Sequence, residues 1–374
     1  MNLDNILNDL DDFIESSSGT IDIDTQYPYL ILKKEDLVRA MNLCKPLIVS
    51  SSNIPELSSI SLVPIIQDKT ILLCATNDLS NFRYRAELIG NPDNMISVNI
   101  SISFFMLQRT VKLMGDKVLF YLKNDNLYIR LLDGDLLLNY TIPRSTILNF
   151  PAESTDKIAE LSLSLLGDTI DVFSPLINKE IRSDNKKLIY NGNMAFFNSI
   201  YFYLQYKIDT PNMVLSQVDL AFIHRLFKYY SNKRLLIFNT DSQITRLFFK
   251  LDNIEYLCLN LISDYIVPDF DTNISKDFSI KIPFDKIYRI VELASNISDV
   301  ININIKDKVY ININSNSNFY VDILEGKAKH RDFNINVEVL KRLLNSFNRY
   351  DFVYIDTSKN SFCIFNDKSI AFCA

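Results

Sequence analysis

The chain has 374 residues, 48% of them hydrophobic and 22% charged, which suits two to four domains with buried cores rather than a disordered segment. Its formal charge of −6 argues against a general basic coat for nucleic acid or anionic lipid. There are seven Gly, two His and no Trp, and no GxGxxG, GxxxxGK[ST] or HExxH motif, so the usual signals of dinucleotide, P-loop and zinc-protease chemistry are missing.

The expectation is a non-enzymatic protein with no cofactor and no metal site. Five cysteines (Cys44, Cys74, Cys258, Cys363 and Cys373) are scattered through apolar runs and never form a CxxC pair. They read as reduced core thiols rather than a disulfide framework or a zinc site. The first residues lack the positive region of a signal peptide, and no uncharged apolar run reaches 18 residues, so a soluble cytoplasmic protein is expected.

Residues 1–28 form an acidic N-terminal extension. It carries Asp4, Asp9, Asp11, Asp12, Glu15, Asp22 and Asp24, and the first basic residue is Lys33. These seven charges exceed the net charge of the whole chain, so the remaining body stands at +1. Leu3, Ile6, Leu7, Leu10, Phe13 and Ile14 follow helical spacing, and the serines at 16–18 with Gly19 read as a stop and a linker. The segment is expected to dock on the parent domain or to act as a partner-binding arm.

The body then repeats one grammar three times: a β-rich stretch, a polar cap, an amphipathic helix and two strands across a polar turn. The first run has its β-rich stretch and helix over 96–111, then strands at 117–122 and 127–132. The second has strand 213–216, helix 218–230 and strands at 234–239 and 244–250. The third has strand 333–336, helix 337–347 and strands at 351–356 and 361–365. Each run is preceded by a further helix, at about 34–47, 167–177 and 284–296. The spacing predicts an α+β protein built from tandem copies at 29–152, 153–272 and 273–374, with junctions near Pro151 and Pro268.

Five of the helices carry basic residues on their polar sides: Arg39 and Lys45, Arg109 and Lys112, Arg225 and Lys228, Lys286 and Arg289, Lys341 and Arg342. The sixth is acidic, with Asp168 and Asp171. On any one helix this is an ordinary solvated face. Its recurrence suits weak, sequence-independent attraction to phosphates. Leu136, Leu137 and Leu138 form an apolar strand suited to sheet continuation between chains, and Leu293 lies off the inward stripe of its helix.

Several stretches resemble the bacterial-type β sliding clamp, the β subunit of DNA polymerase III. They are YLILKKEDL at 29–37, IPELSSISL at 54–62, ATNDLS at 75–80, TIP at 141–143 with FP at 150–151, and ISDYIVPDF at 262–270. The resemblance runs from about residue 29 to the end. It implies three tandem copies of the DNA-clamp domain, each with two helices packed on antiparallel sheets, assembling head to tail into a homodimeric ring. Helices would line a hole around duplex DNA, and the ring would tether a replicative DNA polymerase after opening by an ATP-dependent clamp loader. It also implies that Leu136–Leu138 meet Leu293 across the subunit boundary.

The family's partner-peptide groove falls on Asn198, Ile200, Tyr201, Phe202, Tyr203, Leu204, Pro268, Ile370, Phe372 and Cys373. Here NSIYFY at 198–203 departs from the family's loop, and the tail SIAFCA lacks its usual ending. A groove that accepts apolar anchors with altered specificity is expected. The composition suits a phage or an AT-rich bacterium. A β-rich viral structural or assembly protein is the competing reading. An enzyme built on the SxxK pattern at 154–157, or a metal held by Asp11, Asp12, Asp22 and Asp24, carries little weight.

Overall fold

The structure is a computed structural model. It describes residues 27–373 except 51, 53, 144–156, 181–185, 200–201, 240–245, 261–273, 315–316 and 348–349. The acidic extension up to residue 26, Ile200, Tyr201, Pro268, most of the SxxK pattern and both domain junctions lie outside the described residues.

In chain order the first run is β1 (Tyr29–Lys33), α1 (Lys34–Cys44), β2 (Ser59–Ile65), β3 (Thr70–Thr76), β4 (Ser80–Glu87), β5 (Ile100–Ser103), α2 (Phe104–Thr110), β6 (Lys117–Lys123), β7 (Asn126–Leu131), β8 (Gly134–Leu138) and a short β9 (Tyr140–Thr141). The second is β10 (Lys157–Ser162), α3 (Leu163–Ile177), β11 (Lys187–Asn191), β12 (Met194–Asn198), β13 (Phe202–Lys207), β14 (Met213–Ser216), α4 (Gln217–Tyr230), β15 (Arg234–Asn239), β16 (Arg246–Leu251) and β17 (Ile254–Leu259). The third is β18 (Ser279–Pro283), α5 (Phe284–Ala294), β19 (Val300–Ile305), β20 (Lys308–Asn314), β21 (Ser317–Asp322), a short β22 (Glu325–Gly326), β23 (Arg331–Asn336), α6 (Val337–Asn345), β24 (Phe352–Asp356), β25 (Phe362–Phe365) and β26 (Ser369–Cys373). Apart from β9 and β22, each run has the same order: strand, helix, three strands, strand, helix, three strands.

Local chemistry explains much of this. Ser216 starts α4 with a capping box, exchanging bonds with Asp219, and the Asn336 side chain accepts from the Val339 backbone N–H at the start of α6. Asn124 and Asp125, both at positive φ, make the tight turn between β6 and β7. The helix expected over 34–47 ends at Cys44 and continues as a 3-10 turn through Pro46, whose ring nitrogen has no hydrogen to donate. The second early helix, α3, begins at Leu163, four residues before the sequence suggests. Ser162 makes no side-chain cap there, and Gly167 and Pro175 interrupt the periodicity.

The chain divides into two compact units, one of residues up to 160 with 234–259, the other of 161–233 with 260 onward. The first unit holds a four-stranded sheet, β1-β6-β7-β8, and a nine-stranded sheet, β10-β15-β16-β17-β4-β3-β2-β5-β9. In it α1 packs on β1, β3 and β4, and the Tyr84 hydroxyl donates to Asp36 at 2.8 Å. The second unit holds the nine-stranded sheet β14-β11-β12-β13-β26-β25-β24-β18-β22 and the four-stranded sheet β21-β20-β19-β23. In this unit α3 packs on both α4 and α6, and α5 packs on α6.

The five cysteines are buried and form no disulfide among the described residues. Burial pushes the Cys74 and Cys373 thiols up to about 12 and raises Cys363 as well, so these are neutral core groups. At the contact between α3 and α4, a Cβ on Gly167 would run into the Phe227 ring. Gly167→Ala is expected to destabilise the protein by about 1–3 kcal/mol, read as a lower denaturant midpoint with an unchanged slope.

Candidate nucleic-acid interface and sheet edges

The ten cations on the helices are not equivalent. Arg109, Lys112, Lys228 and Arg289 are exposed and make no ion pair among the described residues. Lys112 lies on the 3-10 turn after α2 rather than on the helix. Lys286 is 3.6 Å from Asp322, whose carboxyl is held below the usual carboxylate range chiefly by a hydrogen bond from Lys308. Arg39 pairs with Glu35 one turn earlier, and Lys341 donates to the Ser295 hydroxyl at 3.0 Å. Lys45, Arg225 and Arg342 are half-buried. On acidic α3, Asp171 is 2.9 Å from His224 of α4. Four free cations and several tethered ones can attract a polyanion weakly but cannot read a base sequence.

The sheet edges are the more informative feature. The same backbone bond recurs in each run: Lys34 N–H to Asp116 O, Leu163 N–H to Lys233 O, and Phe284 N–H to Asp351 O. Counting strand by strand from it makes β8, β17 and β26 equivalent. Counting from the strands before α2, α4 and α6 makes β4, β13 and β21 equivalent. Within the chain β4 pairs with β17 and β13 pairs with β26, both antiparallel, which turns two half-sheets into each nine-stranded sheet. The remaining members, β8 and β21, are edge strands of the two four-stranded sheets.

Burial marks the same two edges. Leu257 and Phe372, sealed by a neighbouring strand, are 4% and 8% exposed, but the equivalent Leu137 is 48% exposed. Leu136 is half-buried and Leu138 buried, as alternation on an edge strand requires. Leu293 repeats the pattern on the helices. Its equivalents Leu43 and Val172 are buried, while Leu293 is 45% exposed beside exposed Ile297. Where β4 meets β17, Arg83 sits opposite Glu255 and forms an ion pair with it. The same position is Gln205 opposite Ile370 between β13 and β26, and it falls on Asn318 and Asp135 at the free edges. The hairpin carrying β19 to β21 is absent from the sequence reading above. The strict alternation of Ile301, Ile303 and Ile305 with asparagines was the signal for it.

The described groove residues are divided by the sheet. Tyr203 pairs with Phe372 and Gln205 with Ile370, and Asn198 pairs with Tyr203 on the same face. Tyr203 and Phe372 join Ile189, Phe196, Val214 and Cys363 in one apolar cluster, with Met194, Ile274 and Ile370 packed against it. Leu204 and Cys373 point to the opposite face and are fully buried there. The contiguous set read from sequence therefore needs correcting, because successive strand residues alternate between faces. Of the set, Asn198, Tyr203, Ile370 and Phe372 share a face. The β26 tail is also an interior strand, bonded to both β13 and β25, not a rim.

No protein-family model matches the chain, and no curated protein matches it in sequence. Solved structures do match. The β chain of DNA polymerase III from Streptococcus pneumoniae aligns at TM-score 0.76 and 16% identity, over 92% of this chain and 98% of that one. The DNA polymerase sliding clamp from Caulobacter crescentus aligns at TM-score 0.76 and 10% identity over the same shares. That from Bacillus subtilis aligns at TM-score 0.75 and 15% identity, over 93% of this chain and 98% of that one. The protein has the sliding-clamp fold.

Proposed function

We propose that the protein is a DNA sliding clamp, a non-catalytic processivity factor that closes as a two-copy ring around duplex DNA and holds a replicative polymerase on it. The observation that carries this reading is the pair of unfinished sheets. Inside the chain, strands equivalent to β8 and β21 join half-sheets twice. A third joint, β8 of one copy against β21 of another, repeats the same pairing, leaves neither of these two edges open and makes a closed head-to-tail assembly. The fold shared with solved sliding clamps supports the same reading.

Function is then topological. Free cations on the helix faces attract phosphates without base contacts, and a weak, sequence-independent grip permits sliding. Opening such a ring is assigned to a separate ATP-dependent loader, because this sequence has no P-loop motif. No cofactor is required, and the site of action is the cytoplasm where the DNA is copied. The test is retention on DNA. Protein loaded on a nicked circle should stay bound through gel filtration at high salt and fall off once a nuclease linearises the circle. Equal retention on both forms points to conventional binding and overturns the proposal.

A further inference from the structure

One face of the four-stranded sheet β1-β6-β7-β8 carries Leu30, Phe120 and Ile129, all fully buried. Register sets a row of large side chains across the opposite face: Tyr29 on β1, Tyr121 on β6, Tyr128 on β7 and Leu137 on β8. The Tyr121 and Tyr128 rings stack with centres 5.3 Å apart. Tyr27, where the described chain begins, meets the Tyr121 ring at 6.2 Å, so the chain enters β1 on this same face. Tyr29, Ile31 and Leu119 form a small buried cluster there. Beyond it the row opens, with Tyr121 and Tyr128 half-buried and Leu137 exposed.

The second unit shows what covers the equivalent row. Counting from the recurring backbone bond puts Asp356 at the position of Tyr121, Cys363 at that of Tyr128 and Phe372 at that of Leu137. There Cys363 and Phe372 are buried in one apolar cluster, and Ile274, ten residues ahead of α5, packs against it. The same count ahead of α1 reaches Asp24, next to Ile23 in the run Ile21-Asp22-Ile23-Asp24. An extended chain with that alternation turns both isoleucines one way and both acids the other. Four residues from Tyr27 back to Ile23 reach at most about 14 Å, and two strand spacings put β7 about 10 Å from β1. We infer that Ile21 and Ile23 pack on Tyr121 and Tyr128, removing this apolar row from water as Ile274 does for its equivalent. The first sheet is thereby closed to a partner peptide by the protein's own N-terminal segment. The inference compares the chain with itself and stands independently of the clamp reading.

Fluorescence of a single introduced tryptophan in the full chain tests it, since the native sequence has none. With Tyr128→Trp as reporter, acrylamide should quench weakly, and adding Ile21→Asp with Ile23→Asp should raise the quenching several-fold. The reciprocal pair guards against a face variant that folds poorly. Ile23→Trp places the reporter on the segment, and Tyr128→Glu should then expose it to quencher by a similar factor. Each comparison is made between proteins of equal mass in light scattering, with melting temperatures within a few degrees. Quenching of the Tyr128→Trp reporter that ignores the two isoleucine changes overturns the inference. So does a shielded Ile23→Trp reporter that ignores Tyr128→Glu, because the segment then packs somewhere else.

Discussion

Leu137→Lys combined with Leu293→Lys should convert the assembled protein to a monomer in light scattering. Both side chains are about half exposed in a single copy, while their equivalents at the joints inside the chain are buried. If β8 meets β21 of a second copy, Leu137 becomes as buried as Leu257 and Phe372. The contact of α3 with α6 gives α5, which carries Leu293, an equivalent neighbour in α2 of that second copy. Placing unpaired charges at such positions costs several kcal/mol each, and every 1.4 kcal/mol is tenfold in affinity. A loss of two or more decades follows. The variants should stay folded, because both positions face solvent in the single copy. An unchanged mass refutes this interface.

Removing residues 370–374 should destroy the fold of the second unit rather than disable a partner site alone. The segment makes up nearly all of β26, which bonds to β13 and β25 and joins two half-sheets. Ala371, Phe372 and Cys373 are buried, and Phe372→Ala alone is expected to cost about 3–5 kcal/mol. Thermal melting of the truncated chain should show a transition lowered by well over ten degrees, or none. The partner groove therefore needs a gentler probe. Ile370 is half-buried on the face shared by Tyr203 and Phe372. Ile370→Lys should keep the melting temperature within a few degrees and sharply reduce stimulation of a cognate polymerase. Full stimulation by a folded Ile370→Lys protein places the partner site elsewhere.

Much of the architecture was legible because its signals are local. The helices starting at Gln217 and Val337 announced themselves by Ser216 and Asn336 and by clear apolar stripes. The α3 start was obscured because glycine and proline within that helix serve packing rather than periodicity. Gly167 lets α4 approach, and nothing in one helix's sequence reveals its neighbour. The described groove residues divide between two faces for a related reason. A motif is read along the chain, but a strand deals its residues alternately to two faces, so Tyr203 and Leu204 part company. Leu137 and Leu293 were legible as apolar residues out of place and were read as a subunit boundary. The burial of their equivalents Leu257, Phe372, Leu43 and Val172 in the same chain adds a second ground for that reading.

The central claim, a ring closed through β8 and β21 around DNA, can be tested with one covalent lock. Asp135→Cys and Asn318→Cys put thiols at the position where Arg83 meets Glu255 inside the chain. The five native thiols are buried, so mild oxidation should act on the introduced pair. Protein incubated with nicked circular DNA, oxidised and then denatured in detergent should remain on the circle and be released when the DNA is cut. Failure of the pair to cross-link between copies, or equal release from circular and linear DNA, would contradict the account.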